Sequence, residues 1–418
     1  MQKRIRMQVF TDTRLPNLVG PALYQGEVPA SLLHATRPSD AAIVVEELAA
    51  GDLARIEPDL RWLEARASEA NPFYGADFLL AASRHFRRTA RPLCLAAWRP
   101  QSGHGGQRLV GLWPLAEVHK LRMGETIGGW THPFVVLSQP LVDRSECDAV
   151  VQAFIDRMLS GKDAALKLSQ IAADGPIMVA IQRAVAKAGS RITMLARYER
   201  AVFATAKSIP AQLETAGKEL RRQSRRLAEQ GQLSFGVVDG YADLKAGIED
   251  FLALEASGWK GRAGTSLLNH AETANFARAM LWSAARRGRL KVARLELDGK
   301  MIAGGLVLCA GTTGFLWKIA FDETHARFSP GVQMIHKLSN WAVETQAFTM
   351  IDSCAHAGHR MIEAVWTGRR ELCDLMIDLA PLSPVRFRMA VFGEAARRRV
   401  IGSLKGLRQR VRVFARAA

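Results

Sequence analysis

KVARLELDGKMIAGGLVLCAGTTGFLWKIAFD, Lys291–Asp322, runs on without a break into ETHARFSPGVQMIHKLSNWAVETQAFTMID, Glu323–Asp352. Lys291–Leu297 alternates in the manner of a strand, and Asp298-Gly299 is a hairpin turn signal. Met301–Ala310 is nearly all apolar, as a strand buried on both faces must be. Gly311-Thr312-Thr313-Gly314 turns the chain back into a third strand, Phe315–Phe321. Val332, Ile335, Leu338 and Ala342 then recur at spacings of three and four, the apolar face of a helix starting near Gly331. A strand feeding a loop and a helix presents unpaired N–H groups and the positive end of the helix dipole. That combination favours an anion such as a pyrophosphate.

Immediately upstream lie the residues that would surround such a site. Ala211–Gln230 reads as a helix with a narrow seam of Leu213, Leu220 and Leu227. Lys218, Arg221, Arg222, Arg225 and Arg226 recur at helical spacing, so the opposite face is a cationic stripe with no acid in it. The stripe fits either a solvated face or an anion site. After a strand at Leu233–Val238 and a helix at Tyr241–Ser257 comes Gly258-Trp259-Lys260-Gly261-Arg262-Ala263-Gly264, a glycine-punctuated loop with one large aromatic. Trp259 and Lys260 are candidates for contact with substrate, Trp259 equally for covering the edge of the core, and Lys318 interrupts an apolar strand, so that one face there is polar and meets either a cleft or solvent. Downstream, Thr349–Ser353 reads as a strand, His359–Arg369 as a helix and Leu372–Ala380 as the last strand.

The first half repeats this mixed pattern: a strand at Ala42–Leu48, helices at Leu53–Ala67 and Ala76–Phe86, and strands on either side of the Gln101–Gln107 loop. Pro133–Val142 reads as extended, Asp148–Leu159 and Pro176–Ala188 as helices, Ala165–Ile171 as a strand and Arg191–Ala206 as an extended tail. The expected organisation is therefore α/β (mixed α+β). Residues 1–40 form a loosely docked leader, 41–206 and 207–384 two units each built on a central mixed sheet flanked by helices, and 385–418 a tail.

That tail sets Arg386, Arg388, Arg397, Arg398, Arg399, Lys405, Arg408, Arg410, Arg412 and Arg416 against the single acid Glu394. Val400, Leu404, Leu407, Val411 and Phe414 recur every three or four residues, which makes it a basic amphipathic helix. Such a helix docks on its own protein, lies on an anionic membrane surface, or touches nucleic acid. Across the chain, 57 Lys+Arg against 40 Asp+Glu leave a net charge of +17, which favours anionic partners. Five widely spaced cysteines, with no CxxC or Cys/His cluster, indicate neither a zinc site nor a disulfide framework. The start lacks an apolar signal region and no apolar run is long enough to span a bilayer, so a cytoplasmic protein is expected, with membrane contact only at its periphery.

The basic stretch KELRRQSRRLAEQG (Lys218–Gly231), FLALEASGWKGRAGT (Phe251–Thr265), LDGKMIAGGLVL (Leu297–Leu308), KIAFDETHARFSPGVQM (Lys318–Met334) and IDSCAHAGHRMIEAVWTGRREL (Ile351–Leu372) occur in that order. Together they resemble the acetyltransferase domain of the CelD/BcsL-like group of the GNAT superfamily, double-GNAT proteins related to the FemAB peptidoglycan transferases. The resemblance covers about residues 201–379, and extends more weakly to Asn71–Leu79 and Arg108–Leu115. It implies tandem GNAT-like domains. It also implies transfer of an acyl group, most simply acetyl, from acyl-CoA to an amine or hydroxyl acceptor, in a polysaccharide or cell-envelope setting and without a metal. The pyrophosphate would sit on Arg327, Ser329, Gly331, Val332 and Gln333; where other GNAT proteins carry glycines this chain has Pro330 and Val332. Asp352, with His356 second, is the expected general base, both flanking Cys354 just past a strand. FemAB relatives use aminoacyl-tRNA as donor, and this is the alternative that the cationic stripe and tail leave open. A non-catalytic scaffold at the membrane is the third reading.

Overall fold

A computed structural model describes residues 42–87, 90–101, 106–119, 125–205 and 217–417. The expected leader, the centre of the Gln101–Gln107 loop and the expected boundary near residues 207–210 lie outside the described residues.

In the first half, β1 (Val44–Ala49) leads through a 3-10 turn into α1 (Glu57–Arg66). Pro58 lies in the first turn of α1, where its missing N–H costs nothing, so it opens the helix instead of interrupting a longer one. α2 (Ala76–His85) follows a tight turn in which the Asn71 side chain accepts from the Phe73 amide. Then come β2 (Leu93–Pro100), β3 (Gln107–His119), β4 (Thr126–Gly129) and β5 (Leu141–Val142). α3 (Cys147–Leu159), β6 (Ala165–Ala172), α4 (Pro176–Lys187) and β7 (Ile192–Ala204) complete this half. Most of the stretch expected to be extended at Pro133–Val142 is irregular, because it fills a gap beside β4 and pairs in a ladder only at β5.

The second half holds α5 (Gly217–Ala228), β8 (Leu233–Val238), α6 (Tyr241–Ser257), the single turn α7 (Trp259–Arg262) and α8 (Ala271–Arg286). β9 (Leu290–Leu297), β10 (Lys300–Ala310) and β11 (Thr313–Phe321) form the antiparallel meander read from the sequence. α9 (Pro330–Thr345), β12 (Met350–Asp352), α10 (Arg360–Glu363), β13 (Gly368–Asp378) and α11 (Pro384–Ala417) follow. The helix expected over His359–Arg369 is one turn long, since the chain must reach the sheet by Gly368.

All these strands join one sheet in the order β1-β2-β3-β4-β6-β13-β7-β12-β11-β10-β9-β8, with β5 paired to β3 off this path. Read from either edge the order is the same: four antiparallel strands, a strand parallel to the fourth, then the last strand of the other half. β4 pairs parallel with β6 and β11 with β12. The final strands are exchanged, so that β13 lies between β6 and β7 while β7 lies between β13 and β12. Arg191–Ala206 is thus no tail; it contains a central strand. Rings from both halves cover the join. Phe78 meets Phe276 at 5.0 Å and Trp317 at 6.3 Å, and Phe73 meets Phe315 at 5.8 Å, in edge-on geometries. Burying each such ring stabilises the fold by about 2–3 kcal/mol.

Candidate functional site

β11 and β12 stay together only over Thr313–Phe315 and Met350–Asp352. Beyond Phe315, β11 runs on to Phe321 while β12 ends, which opens a wedge at the edge of the paired region. The β10–β11 register shifts at the same level: Leu306 faces Lys318 and Val307 faces Leu316, which leaves Trp317 as an extra residue. A bulge of this kind frees a backbone amide and re-aims the neighbouring side chains.

Below the wedge stands the N-terminus of α9. Ser329 is left-handed (φ 52°, ψ 50°) and offers no side-chain cap, and Pro330 occupies the first helical position. The N–H groups of Gly331 and Val332 belong to the first turn and have no intrahelical acceptor. A Cβ at Gly331 would lie 2.9 Å from Met361 Sδ and 3.3 Å from Phe321 Cδ1, so a side chain there would have to displace the Met361 thioether. Gln333 departs from its expected role: its amide donates to the Ser329 carbonyl (3.1 Å), and its buried side chain donates to the Phe328 carbonyl (2.8 Å). It shapes the loop from inside. Arg327 is exposed beside the Phe328 ring, 4.6 Å from guanidinium to centroid. α5 lies alongside, with its Leu227 in the same core cluster as Phe328. Its Lys218, Arg221, Arg225 and Arg226 are exposed. The stripe is not free of acid, however, because Glu219 binds Arg222 at 2.7 Å.

Lys318 lies in the part of β11 beyond its pairing with β12. Its Nζ stands 4.7 Å from the Phe134 ring centre and 5.4 Å from that of Trp317. Phe134 comes from the other half of the chain, and its carbonyl accepts from Trp317 Nε1 (3.0 Å). Burial, reinforced by the nearby Lys260 charge and opposed by Glu255, lowers the Lys318 pKa to about 8. His132, stacked on Phe86 at 4.1 Å, also lies within reach of the Lys318 charge; burial lowers it to about 4 and keeps it neutral.

Asp352 is not placed as a general base. It is fully buried, accepts from Arg200 at 3.4 Å, Arg370 at 3.1 Å and the Cys354 amide at 2.8 Å, and so presents no free oxygen to an acceptor. It ties β12 to β7 and β13. Cys354 is no nucleophile either: burial first, then Asp352, pushes its thiol well above the usual range. His356 is exposed on the loop after β12, its ring 6.4 Å from that of His359. His359 is part-buried, with its Nδ1 unpartnered; burial, then the His356 charge, lowers its pKa.

Lys260 is committed to structure, since its Nζ donates to Glu255 and to the Ile319 carbonyl, each at 3.0 Å. It fixes α7 against β11 at the rim of the wedge. Trp259 is exposed at 56%, and its amide is held by Glu323 at 2.6 Å. The structure therefore brings Lys318, Lys260, His356 and the Gly331–Val332 amides to one edge. It adds His132 and Phe134, for which the sequence carries no motif, and His359, which lies in the Ile351–Leu372 stretch but has no expected site role there.

Residues 216–360 match the family model for an acetyltransferase (GNAT) domain. Among solved structures, FemX matches at 12% identity over 79% of this chain and 98% of its own, with a TM-score of 0.50. The C-terminal (DUF2156) domain of a lysylphosphatidylglycerol synthetase from Agrobacterium fabrum matches at 14% identity over 80% and 95%, with a TM-score of 0.49. A tandem GNAT protein from the clavulanic acid biosynthesis pathway matches at 13% identity over 80% and 98%, with a TM-score of 0.37. No curated protein matches the sequence. At such identities the likeness concerns the fold alone.

Proposed function

We propose that the chain, whose residues 216–360 match the acetyltransferase (GNAT) domain model, transfers an acyl group from acyl-CoA to an amine or hydroxyl acceptor in the wedge between β11 and β12. One observation carries this reading: the strands part beside an uncapped helix N-terminus, with a bulged strand on one side and a cationic helix on the other. The Gly331 and Val332 amides would take the pyrophosphate, with Arg327 and the α5 cations screening its charge. The thioester would lie along β11, where the bulge amide and the Lys318 ammonium oppose the negative charge that develops on its carbonyl oxygen. His359, neutral at pH 7, would accept the acceptor's proton and pass it to solvent beside His356. The acceptor forms the new acyl bond, the thiol leaves, and the proton lost by the acceptor balances the one gained by the thiolate. Trp259 covers the acceptor side.

The corresponding helix of the first half, α3, starts among acids. It begins after Glu146, which is buried and bound by Arg99 and by Arg108 (2.7 Å), with Asp143 beside it held by Arg66 at 2.9 Å.

Calorimetric titration of acetyl-CoA into wild type and Gly331→Trp tests the donor site. We expect wild type to bind and the variant to lose at least about tenfold in affinity, from the steric block at the helix terminus. No binding by wild type, or unaltered binding by a folded variant, refutes it. If wild type instead binds charged tRNA with steep salt dependence, the donor is reassigned to aminoacyl-tRNA.

A further inference from the structure

α11 has two apolar faces, and the protein's own sheet covers one of them. Phe387, Ala390 and Val391 pack on Ala165, Leu195 and Met376 of the central strands. On the same side Glu394 is buried; burial raises its pKa, but Arg397, Lys167 and Arg398 overcome this and hold it at about 2. Arg398 also reaches Asp374 at 2.8 Å. At 100° per residue these side chains share one side of the helix, and Val385, Met389, Phe392, Ala396 and Val400 fall on the other. Val385, Met389, Phe392 and Val400 are exposed, Phe392 at 73%. The sequence continues this stripe through Leu407, Val411 and Phe414, on a helix that runs to Ala417.

Charge selects the occupant of this stripe. The segment 384–417 carries the ten cations named above, and its single acid, Glu394, is already neutralised within the protein. An exposed apolar stripe flanked by arginines matches the boundary between anionic headgroups and acyl chains, where apolar burial and Coulomb attraction act together. Nucleic acid would use the cations and leave Met389 and Phe392 in water. Among the described residues no helix is long and apolar enough to cross a membrane, so contact runs along the surface.

We propose that α11 docks the protein on an anionic membrane surface, with the Val385–Phe392 side in the headgroup–acyl boundary and the exposed Arg388 and Arg399 on lipid phosphates. The full chain is floated with phosphatidylcholine vesicles with and without phosphatidylglycerol, beside Met389→Glu/Phe392→Glu, which leaves the docked side of the helix untouched. Wild type is expected to float with the anionic vesicles alone and to be released at high salt. The double variant, with an unchanged circular-dichroism melt, should bind at least about tenfold more weakly through lost apolar burial. Failure of wild type to float, equal flotation with neutral vesicles, or equal flotation of the variant overturns the proposal. So does a wild-type dimer in light scattering that the variant dissociates, which would make the stripe a contact between copies.

Discussion

Burying Lys318 beneath the Phe134 and Trp317 rings costs folding free energy that a methionine there would not. Its pKa is about 8 in the folded chain against an ordinary value of 10.5, so the unfolded chain binds more protons between those values. The Lys318 contribution is therefore full above pH 10.5, falls as pH drops from there to about 8, and is level below that. Lys318→Met should raise the melting temperature at pH 7, with the gain shrinking towards pH 10.5, while kcat falls about 10–1,000-fold through the loss of charge at the developing oxyanion. Scanning fluorimetry across pH and steady-state kinetics check both; a variant that is neither more stable at pH 7 nor slower removes Lys318 from the site. In wild type, activity should rise with pH through the lowered His359 pKa and fall near pH 8 as Lys318 loses its proton. The sequence marks Lys318 as a cation in an apolar strand, but it does not reveal the rings that desolvate it, because Phe134 is supplied by a distant part of the chain.

At the scale of elements, the cleft rim depends on how sharply α6 turns into α7. A Cβ at Gly261 would lie 1.7 Å from the Ala256 carbonyl oxygen, an overlap that backbone movement alone can relieve. Gly261→Ala should destabilise the protein by about 1–3 kcal/mol and loosen the Lys260 contacts to Glu255 and Ile319. Chemical denaturation and the KM for acceptor should both register it; an unchanged midpoint would mean the corner yields freely. The glycine punctuation read as a loop is a helical turn, because the glycines serve close approach as well as flexibility. A second contrast between elements shapes the site. Between β6 and β7 the first half places α4, Pro176–Lys187, whereas the corresponding place between β12 and β13 holds only α10, Arg360–Glu363. The shorter helix leaves the His356–His359 loop at the wedge instead of a packed surface.

At the scale of the whole molecule, the two halves are interleaved. Arg200 on β7, Asp352 on β12 and Arg370 on β13 form a buried bracket where the exchanged strands meet. Removing the charge of one partner strands the others in low dielectric, at a cost of about 3–5 kcal/mol. Asp352→Asn should accordingly lower the unfolding midpoint by that amount and leave kcat, measured on the folded protein, within about threefold of wild type. If kcat collapses while stability is kept, Asp352 is a base after all and the bracket reading fails.

The sequence by itself determined the local elements and the site's outline. Period-two and period-3.6 patterns set most strands and helices, Asp298-Gly299 set a hairpin, and Ser329-Pro330-Gly331 set the start of α9. These are encoded in near neighbours, where backbone sterics and solvent exposure act directly. Only the tertiary structure decided that β7 and β13 change places, that Asp352 is ion-paired and Lys318 is not, and that α11 keeps one apolar side outside. Those outcomes depend on which distant segment supplies the partner, and hydrogen bonding between strands is blind to separation along the chain.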